Sequence, residues 1–542
     1  MSNPSSSNNI PTIILPEGTT SVKGRDAQNN NLTAALLLAD ILSSSLGPRG
    51  LDKMLVDTTG DVKITNDGAT MLKEMDIQHP AAKMLVEISK SLDSEVGDGT
   101  TSAVIFAGAL LTGAKELLQK GIHPSLMVEG YSKAAKKALQ IFEEISIKVE
   151  PQDVDWLRKV ARTSMQTKIV SRDAEYLAGL VVDAVLSVAD KTDSGYKVDK
   201  KNIKVLKAAG GVAGDSTLIT GVVIDKEIAH SSMPKRIENA RILVTNTAFE
   251  IEKPEMDTKL NITSPEQMKQ FIDSEDKMLY DIVQNARKAG ANVMICLRAI
   301  DDLALQYLAS AGILAVKMAN MSDLERIVKA AGGSIVGSLV DVKPGDLGRA
   351  KLVEERKIED HKWVFVEGCK NPKAVTILVR GGFDKMVDET ERAIDDAIMV
   401  TRDVMERPLV VAGGGAPEIE VAMKLRAWLP KLSGRVQLAA QKFADAMEKI
   451  SLTLAANAGM SPIDASVALR SRHSKGGKWI GIDASDGTLK DMYKSQVFEP
   501  TWVKEQIIKS ATEASNMILR IDEVLASTST KKPPLATPTN EE

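Results

Sequence analysis

The chain has 542 residues, 43% hydrophobic and 26% charged, with 69 basic against 73 acidic side chains. That length exceeds what one hydrophobic core serves and predicts two to four domains, while the balanced charge argues against nucleic acid as a partner. The two cysteines, Cys296 and Cys369, are too few for a disulfide framework or a thiolate metal cage. They leave one disulfide open and suit a reducing cytoplasm. Five histidines argue against a His-based zinc site or a His-dependent triad, so acidic side chains must carry any chemistry.

Residues 1–20 are polar and low in complexity, with no positive charge before Lys23, which predicts a disordered arm and argues against a secretory signal. Helical periodicity then runs over 32–45, 81–92, 100–120 and 125–145, with Gly121 as a C-cap. Residues 100–114 carry no charge but fall short of the roughly 20 residues a bilayer span needs, and read as a buried helix. A short strand at Val62-Lys63-Ile64 leads to Asn66-Asp67-Gly68, a turn whose residues tolerate positive φ. The texture changes in the middle. Short apolar strands at 292–296, 313–316 and 334–336 alternate with helices beginning near Ile300 and Ser322, a β-α-β-α pattern. Ser322 with Glu325, and Ser264 with Pro265 and Gln267, read as helix starts. Long helices return at 392–406, 417–428 and 436–458, so an α/β module sits inside a helical one, and 527–542 reads as a flexible tail.

The strongest local signal is Gly97-Asp98-Gly99-Thr100-Thr101, at the start of the uncharged helix. Glycines admit close backbone approach, a helix N-terminus offers unpaired N–H groups, the threonines add hydroxyl donors, and Asp98 can ligate magnesium. The plain alternative is an Asp-Gly turn with a Thr N-cap. No Gly-x-x-x-x-Gly-Lys-Ser/Thr loop is present, so a P-loop is disfavoured. Leu46-Gly47-Pro48-Arg49-Gly50, Thr65-Asn66-Asp67-Gly68 and Gly413-Gly414-Gly415 each read singly as loops; together, at helix termini of one helical module, they read better as a nucleotide pocket. Asp395-Asp396 lies in a helical stretch, where a carboxylate can orient the water attacking a γ-phosphoryl group or be one of a solvated acidic pair.

These segments resemble the type II chaperonins, most closely archaeal thermosome subunits. The resemblance runs over nearly the whole chain and rests on LGPRGLDKML from Leu46, ITNDGATMLKEMDIQHPAAKMLVE from Ile64, EVGDGTTSAV from Glu95, TSMQTK from Thr163, VFVEGCKNPKAVTILVRGG from Val364, ERAIDDA from Glu391 and AGGGAPEIE from Ala412. It implies a multidomain chaperonin fold with a mostly α equatorial ATPase domain (21–152 plus 405–526), an α/β intermediate hinge domain (153–220 plus 372–404) and an α/β apical domain (221–371). The apical domain would carry a helical lid protrusion at about 251–276, with Leu260, Ile262, Met268, Phe271 and Ile272 as an apolar strip. It further implies ATP and Mg2+ as cofactors, unfolded polypeptides as clients, and identical or paralogous subunits in stacked rings of eight or nine. By the same resemblance Asp98 ligates magnesium; Leu46, Gly47, Pro48, Gly99, Thr100 and Thr101 surround the phosphates; and Asp67 supports metal and water. Asp396 is the catalytic aspartate, Lys168 senses the γ-phosphate, Gly414, Gly415 and Glu499 contact ribose or base, and Asp483 lies near that end.

Departures are small. Ser102 stands where a third threonine is common, Ala412 replaces a frequent proline, and the tail lacks a Gly-Gly-Met ending; the tail and the apical substitutions suggest a divergent paralogue in a mixed ring. Two readings follow: a folding ATPase, which needs Asp98, Asp396 and Lys168 together, and a structural or regulatory ring or filament subunit with little turnover. A small-molecule kinase would need a further polar constellation that the sequence does not display.

Overall fold

The computed structural model describes residues 19–527 apart from 58, 194, 251–264, 360 and 370–372. The chain builds α1 (Gly24–Ser43), α2 (Gly68–Glu74), α3 (Pro80–Val96), α4 (Thr100–Gln119), α5 (Pro124–Ile145), α6 (Val154–Gln166) and α7 (Ala174–Val188). The middle adds α8 (Pro265–Ala289), α9 (Asp302–Ser310) and α10 (Met321–Ala331). The last third adds α11 (Asp384–Glu406), α12 (Ala416–Trp428), α13 (Arg435–Asn457), α14 (Pro462–Ser474) and α15 (Thr501–Arg520).

The early and late helices share one core because α4 is apolar on most of its circumference and needs neighbours all round. By length and composition α4 could cross a membrane, but it lies within the protein against α1, α13 and α15. Gly108 allows α1 to come close, since a Cβ there would lie 2.4 Å from that of Ala39. Phe106 meets Phe443 of α13 edge to face at 5.3 Å, and the buried Tyr131 hydroxyl donates to the Leu110 carbonyl at 2.7 Å. The chain ends close on each other: Thr19–Lys23 pairs antiparallel with Glu523–Ser527. Leu409–Ala412 sits between Ile147–Lys148 and Phe498–Pro500, again joining both halves.

Between them, Ile203–Ala209 runs parallel to Val375–Gly381, so the chain leaves and returns on adjacent strands. The intervening residues form a seven-stranded mixed sheet with its own cores. Val293–Cys296 lies between Arg236–Thr245 and Leu314–Val316, both parallel to it, and all of its residues are buried, as a strand covered on both faces requires. The β-α-β-α pattern read from the sequence is this part of the sheet, with α9 as the crossover.

Local expectations differ in places. Asn66-Asp67-Gly68 contains no positive φ; Asp67 is instead the N-cap of α2, its carboxylate accepting from Thr70 N at 2.7 Å. Ser322 does not cap α10, which begins one residue earlier after Asn320. Cys296 and Cys369 are both free thiols. The helix predicted from Arg392 starts eight residues sooner, at Asp384. The expected arm and tail lie outside the described residues except at Thr19, Thr20 and Ser527, which belong to strands. Most of the expected lid segment, with Leu260 and Ile262 and the side chains of Met268, Phe271 and Ile272, also lies outside them.

Two buried charge arrangements carry consequences for stability. Lys204 donates to both oxygens of Asp323 at 2.7 and 2.9 Å and to the Val223 carbonyl at 2.9 Å, while Arg326 reaches the same carboxylate at 2.9 Å. This ties α10 to the strand through which the chain enters the middle module. Asp323→Ala leaves two cations without their partner and should lower stability by about 3 kcal/mol, read from urea unfolding followed by fluorescence. On α11, Asp403 is fully buried, accepts from Arg402, and has one oxygen without a partner. Burial pushes its carboxyl up to about 7, against the pull of Arg402. A raised folded-state value means stability that is present below the unfolded value of about 4 and lost as pH rises through 7. Asp403→Asn should therefore match the parent near pH 4 and exceed it by about 1–3 kcal/mol above pH 7, a difference measured by melting at both pH values.

Candidate functional site

A cavity of about 560 Å3 lies where α2, α4, α6, α11, α12 and α15 converge, within the range of small-molecule sites. Its wall is built from helix termini. Gly97 caps α3 with φ of 73° and Gly99 starts α4 with φ of 82°, so Asp98 stands on a turn between two left-handed glycines. Neither accepts a side chain: a Cβ on Gly97 would lie 2.3 Å from Met399 Cβ of α11, and one on Gly99 would lie 2.7 Å from Ile507 Cδ1 of α15. The Asp98 carboxylate accepts from Gly99 N at 2.6 Å and from Ser164 Oγ at 3.1 Å. Gly68 opens α2 against the first turn of α4, where its Cβ would meet Thr101 Oγ1 at 2.6 Å.

Gly47, with φ of 84°, turns the chain after α1, and Asn457 of α13 holds that turn by donating to the Ser43 and Leu46 carbonyls, each at 2.9 Å. At the other end Gly414 and Gly415 have φ of 65° and 74° and lead into α12. Ser451 Oγ donates to the Gly415 carbonyl at 2.7 Å. The starts of α4 and α12 thus border one space, an arrangement suited to anionic groups.

Lys168 follows α6, and its ammonium contacts the Asp396 carboxylate on α11; both side chains are largely buried. Burial pushes the Asp396 carboxyl well above its ordinary value, and Asp67 and Asp98 add to this while Lys168 opposes it. Burial also opposes charge on Lys168, but Asp396, Asp98 and Asp67 together hold its value above the ordinary one. Three carboxylates around one ammonium form a net negative cluster, so both groups retain protons more tightly than in water. A cation entering there would relieve the carboxylates. Asp483 is already engaged by Lys490 at 2.8 Å and by Ser485 N at 2.9 Å, at the cavity edge. Glu499 is held by Lys504 at 2.5 Å.

The residues to which the resemblance gave a role line this one cavity: Leu46, Gly47, Pro48, Asp67, Asp98, Gly99, Thr100, Thr101, Lys168, Asp396, Gly414, Gly415, Asp483 and Glu499. Asp395, its neighbour in the acidic pair, does not, and lies 3.4 Å from Lys200. Sequence reasoning assigned no role to Ser164, Glu418 and Lys504, which also line it. Glu418 and Lys504 had a signal, since each is a charge among the mostly apolar positions that its helix buries.

Residues 38–529 match the TCP-1/cpn60 chaperonin family. The chain belongs to that family. Its relatives include a thermosome subunit alpha of Archaeoglobus fulgidus, 52% identical over 96% of either chain, and a thermosome subunit beta of Thermococcus kodakarensis, 50% identical over the same shares. A thermosome subunit alpha of Sulfolobus acidocaldarius is 49% identical over 96% of this chain and 95% of its own length. The helical and mixed-sheet content of this chaperonin agrees with the family assignment made from the sequence.

In this chaperonin the approach of α2 to α4 is set by the missing Cβ at Gly68. Gly68→Ala should lower the urea midpoint by the equivalent of about 1–3 kcal/mol, whereas Gly345→Ala, whose Cβ meets nothing, should stay within about 0.5 kcal/mol of the parent.

Proposed function

We propose that this chain is an ATP-hydrolysing chaperonin subunit that uses nucleotide turnover to close a lid over unfolded polypeptides in a double ring of identical or paralogous subunits, eight or nine per ring, in the cytoplasm. The observation that carries the reading is the meeting of Asp98, Lys168 and Asp396 beneath the glycine-lined start of α4. The division into an equatorial ATPase part from both chain ends, an intermediate hinge part and an apical part fits the nested connectivity at Ile203–Ala209 and Val375–Gly381.

In this reading the N–H groups and hydroxyls of Gly99, Thr100 and Thr101, with Leu46, Gly47 and Pro48, surround the phosphates. Among the described residues no cluster of three or more His, Cys, Asp or Glu side chains forms a metal cage. Asp98 would accordingly share a magnesium ion with the nucleotide, as this ion commonly does, and Asp67 would hold water beside it. The ion would neutralise charge on the transferring phosphoryl group. Asp396 would orient the attacking water, its raised affinity for protons suiting it to take one up, and Lys168 would contact the γ-phosphate. Gly414, Gly415 and Glu499 would meet ribose or base, with Asp483 at the rim.

The test is ATP hydrolysis by the purified protein with particle mass measured by light scattering. A large assembly with slow hydrolysis is expected. Asp396→Ala should reduce turnover by at least about 100-fold while ATP affinity stays within about threefold, because it removes the group that positions water and leaves the phosphate cradle in place. Unchanged turnover would move the role elsewhere, first to Asp67.

A further inference from the structure

The Asp98 carboxylate is held at both of its oxygens. One accepts from Gly99 N at 2.6 Å, within its own turn, and the other accepts from Ser164 Oγ at 3.1 Å, a hydroxyl that α6 brings from 66 positions away. Ser164 is 5% exposed and lines the cavity. A serine inside a helix commonly returns its hydroxyl to the carbonyl four residues earlier. The neighbouring Thr163 does so, to the Lys159 carbonyl at 2.9 Å, whereas Ser164 directs its hydroxyl across to Asp98. The end of α6 is fastened a second time, since Asn66 Nδ2, in the turn before α2, donates to the Thr167 carbonyl at 3.0 Å.

One helix end therefore serves two charged groups: Ser164 reaches Asp98 and, four residues later, Lys168 reaches Asp396. With one protein donor on each oxygen among the described residues, the Asp98 carboxylate keeps lone pairs for a cation. Its donor chemistry thus fits magnesium. That ion demands near-octahedral geometry and takes only one or two carboxylates, so the orientation of each one counts. We propose that Ser164 is a positioning residue whose hydroxyl keeps the Asp98 carboxylate facing the cavity, in the orientation that receives the divalent cation accompanying a nucleotide. The proposal rests on the nucleotide reading above and adds to it the role of Ser164.

Without that hydroxyl the carboxylate would keep only its local bond to Gly99 N and would be free to turn toward Lys168, whose ammonium lies within its electrostatic reach. A ligand that must first be turned back binds its ion more weakly, and removing the donor behind a metal-binding side chain typically costs about 10–100-fold in metal affinity. The loss is specific to the cation. Phosphate contacts made by the backbone at the start of α4 do not pass through Ser164, so a nucleotide without its ion should not feel the change.

The experiment is calorimetric binding of ATP to the assembled protein, once with saturating Mg2+ and once in EDTA. The parent should bind ATP more tightly with Mg2+. Ser164→Ala should weaken ATP binding in Mg2+ by about tenfold and leave binding in EDTA within about threefold of the parent. A purely structural role would weaken both alike, and an idle hydroxyl would change neither; either result would overturn the proposal. If Ser164→Ala does not fold, Ser164→Cys, which keeps the shape and only a weak donor, decides by the same comparison. A parent that binds ATP equally with and without Mg2+ would overturn the proposal and leave the nucleotide reading standing, whereas a folded parent that binds no ATP would overturn both.

Discussion

Asp98 stands between two glycines in the left-handed conformation, and the two close approaches they permit shape the whole centre of the molecule. Gly97 lets α11 lie against the turn through Met399, and Gly99 lets α15 lie against it through Ile507. These helices carry Asp396 and Lys504, so a single added carbon at either glycine would push the groups of the cavity apart. The turn also puts the unpaired N–H groups of α4 into the space where Asp98 and Lys168 face one another. Backbone freedom at two residues thus decides packing, and packing decides which charges meet.

Those charges come from segments far apart in the chain. Lys168 and Asp396 are 228 positions apart, and Glu499 lies beyond both. Apolar packing alone would stabilise the protein more simply, since burying ions costs solvation that pairing seldom restores in full. A preformed polar cavity, however, needs no reorganisation when a charged ligand arrives. Burial opposes charge on Lys168, but Asp396, Asp98 and Asp67, which it faces, hold its proton affinity above the ordinary value, while burial raises that of Asp396.

Outside the cavity the mixed-sheet module has its own apolar cores, and its attachment runs through adjacent strands and the buried Lys204, Asp323 and Arg326 cluster. Apolar contact crosses the join as well, since Leu206, Ala208 and Leu378 of the connecting strands pack with Val223, Trp363 and Phe365.

Much of this was legible in one dimension. Periodicity over 100–120 and 125–145 marked helices whose long apolar faces demand burial. The Asp98 motif, the other glycine turns and the match to a chaperonin family were local or ordered along the chain, so reading residue by residue reached them. Capping was less legible: Asp67 looked like part of a positive-φ turn but closes a helix start, because side-chain capping and turn chemistry draw on the same residues. Lys504, Glu418 and Ser164 belong to the site only through tertiary packing. Each sits on a helix whose pattern says "buried", and a sequence does not tell which other helix it is buried against. By itself the sequence determined the family and most of the helices; only the tertiary structure decided that α11, α12, α15 and the turn after α6 bring buried charges to one cavity, because long-range packing, and not local spacing, sets which faces meet.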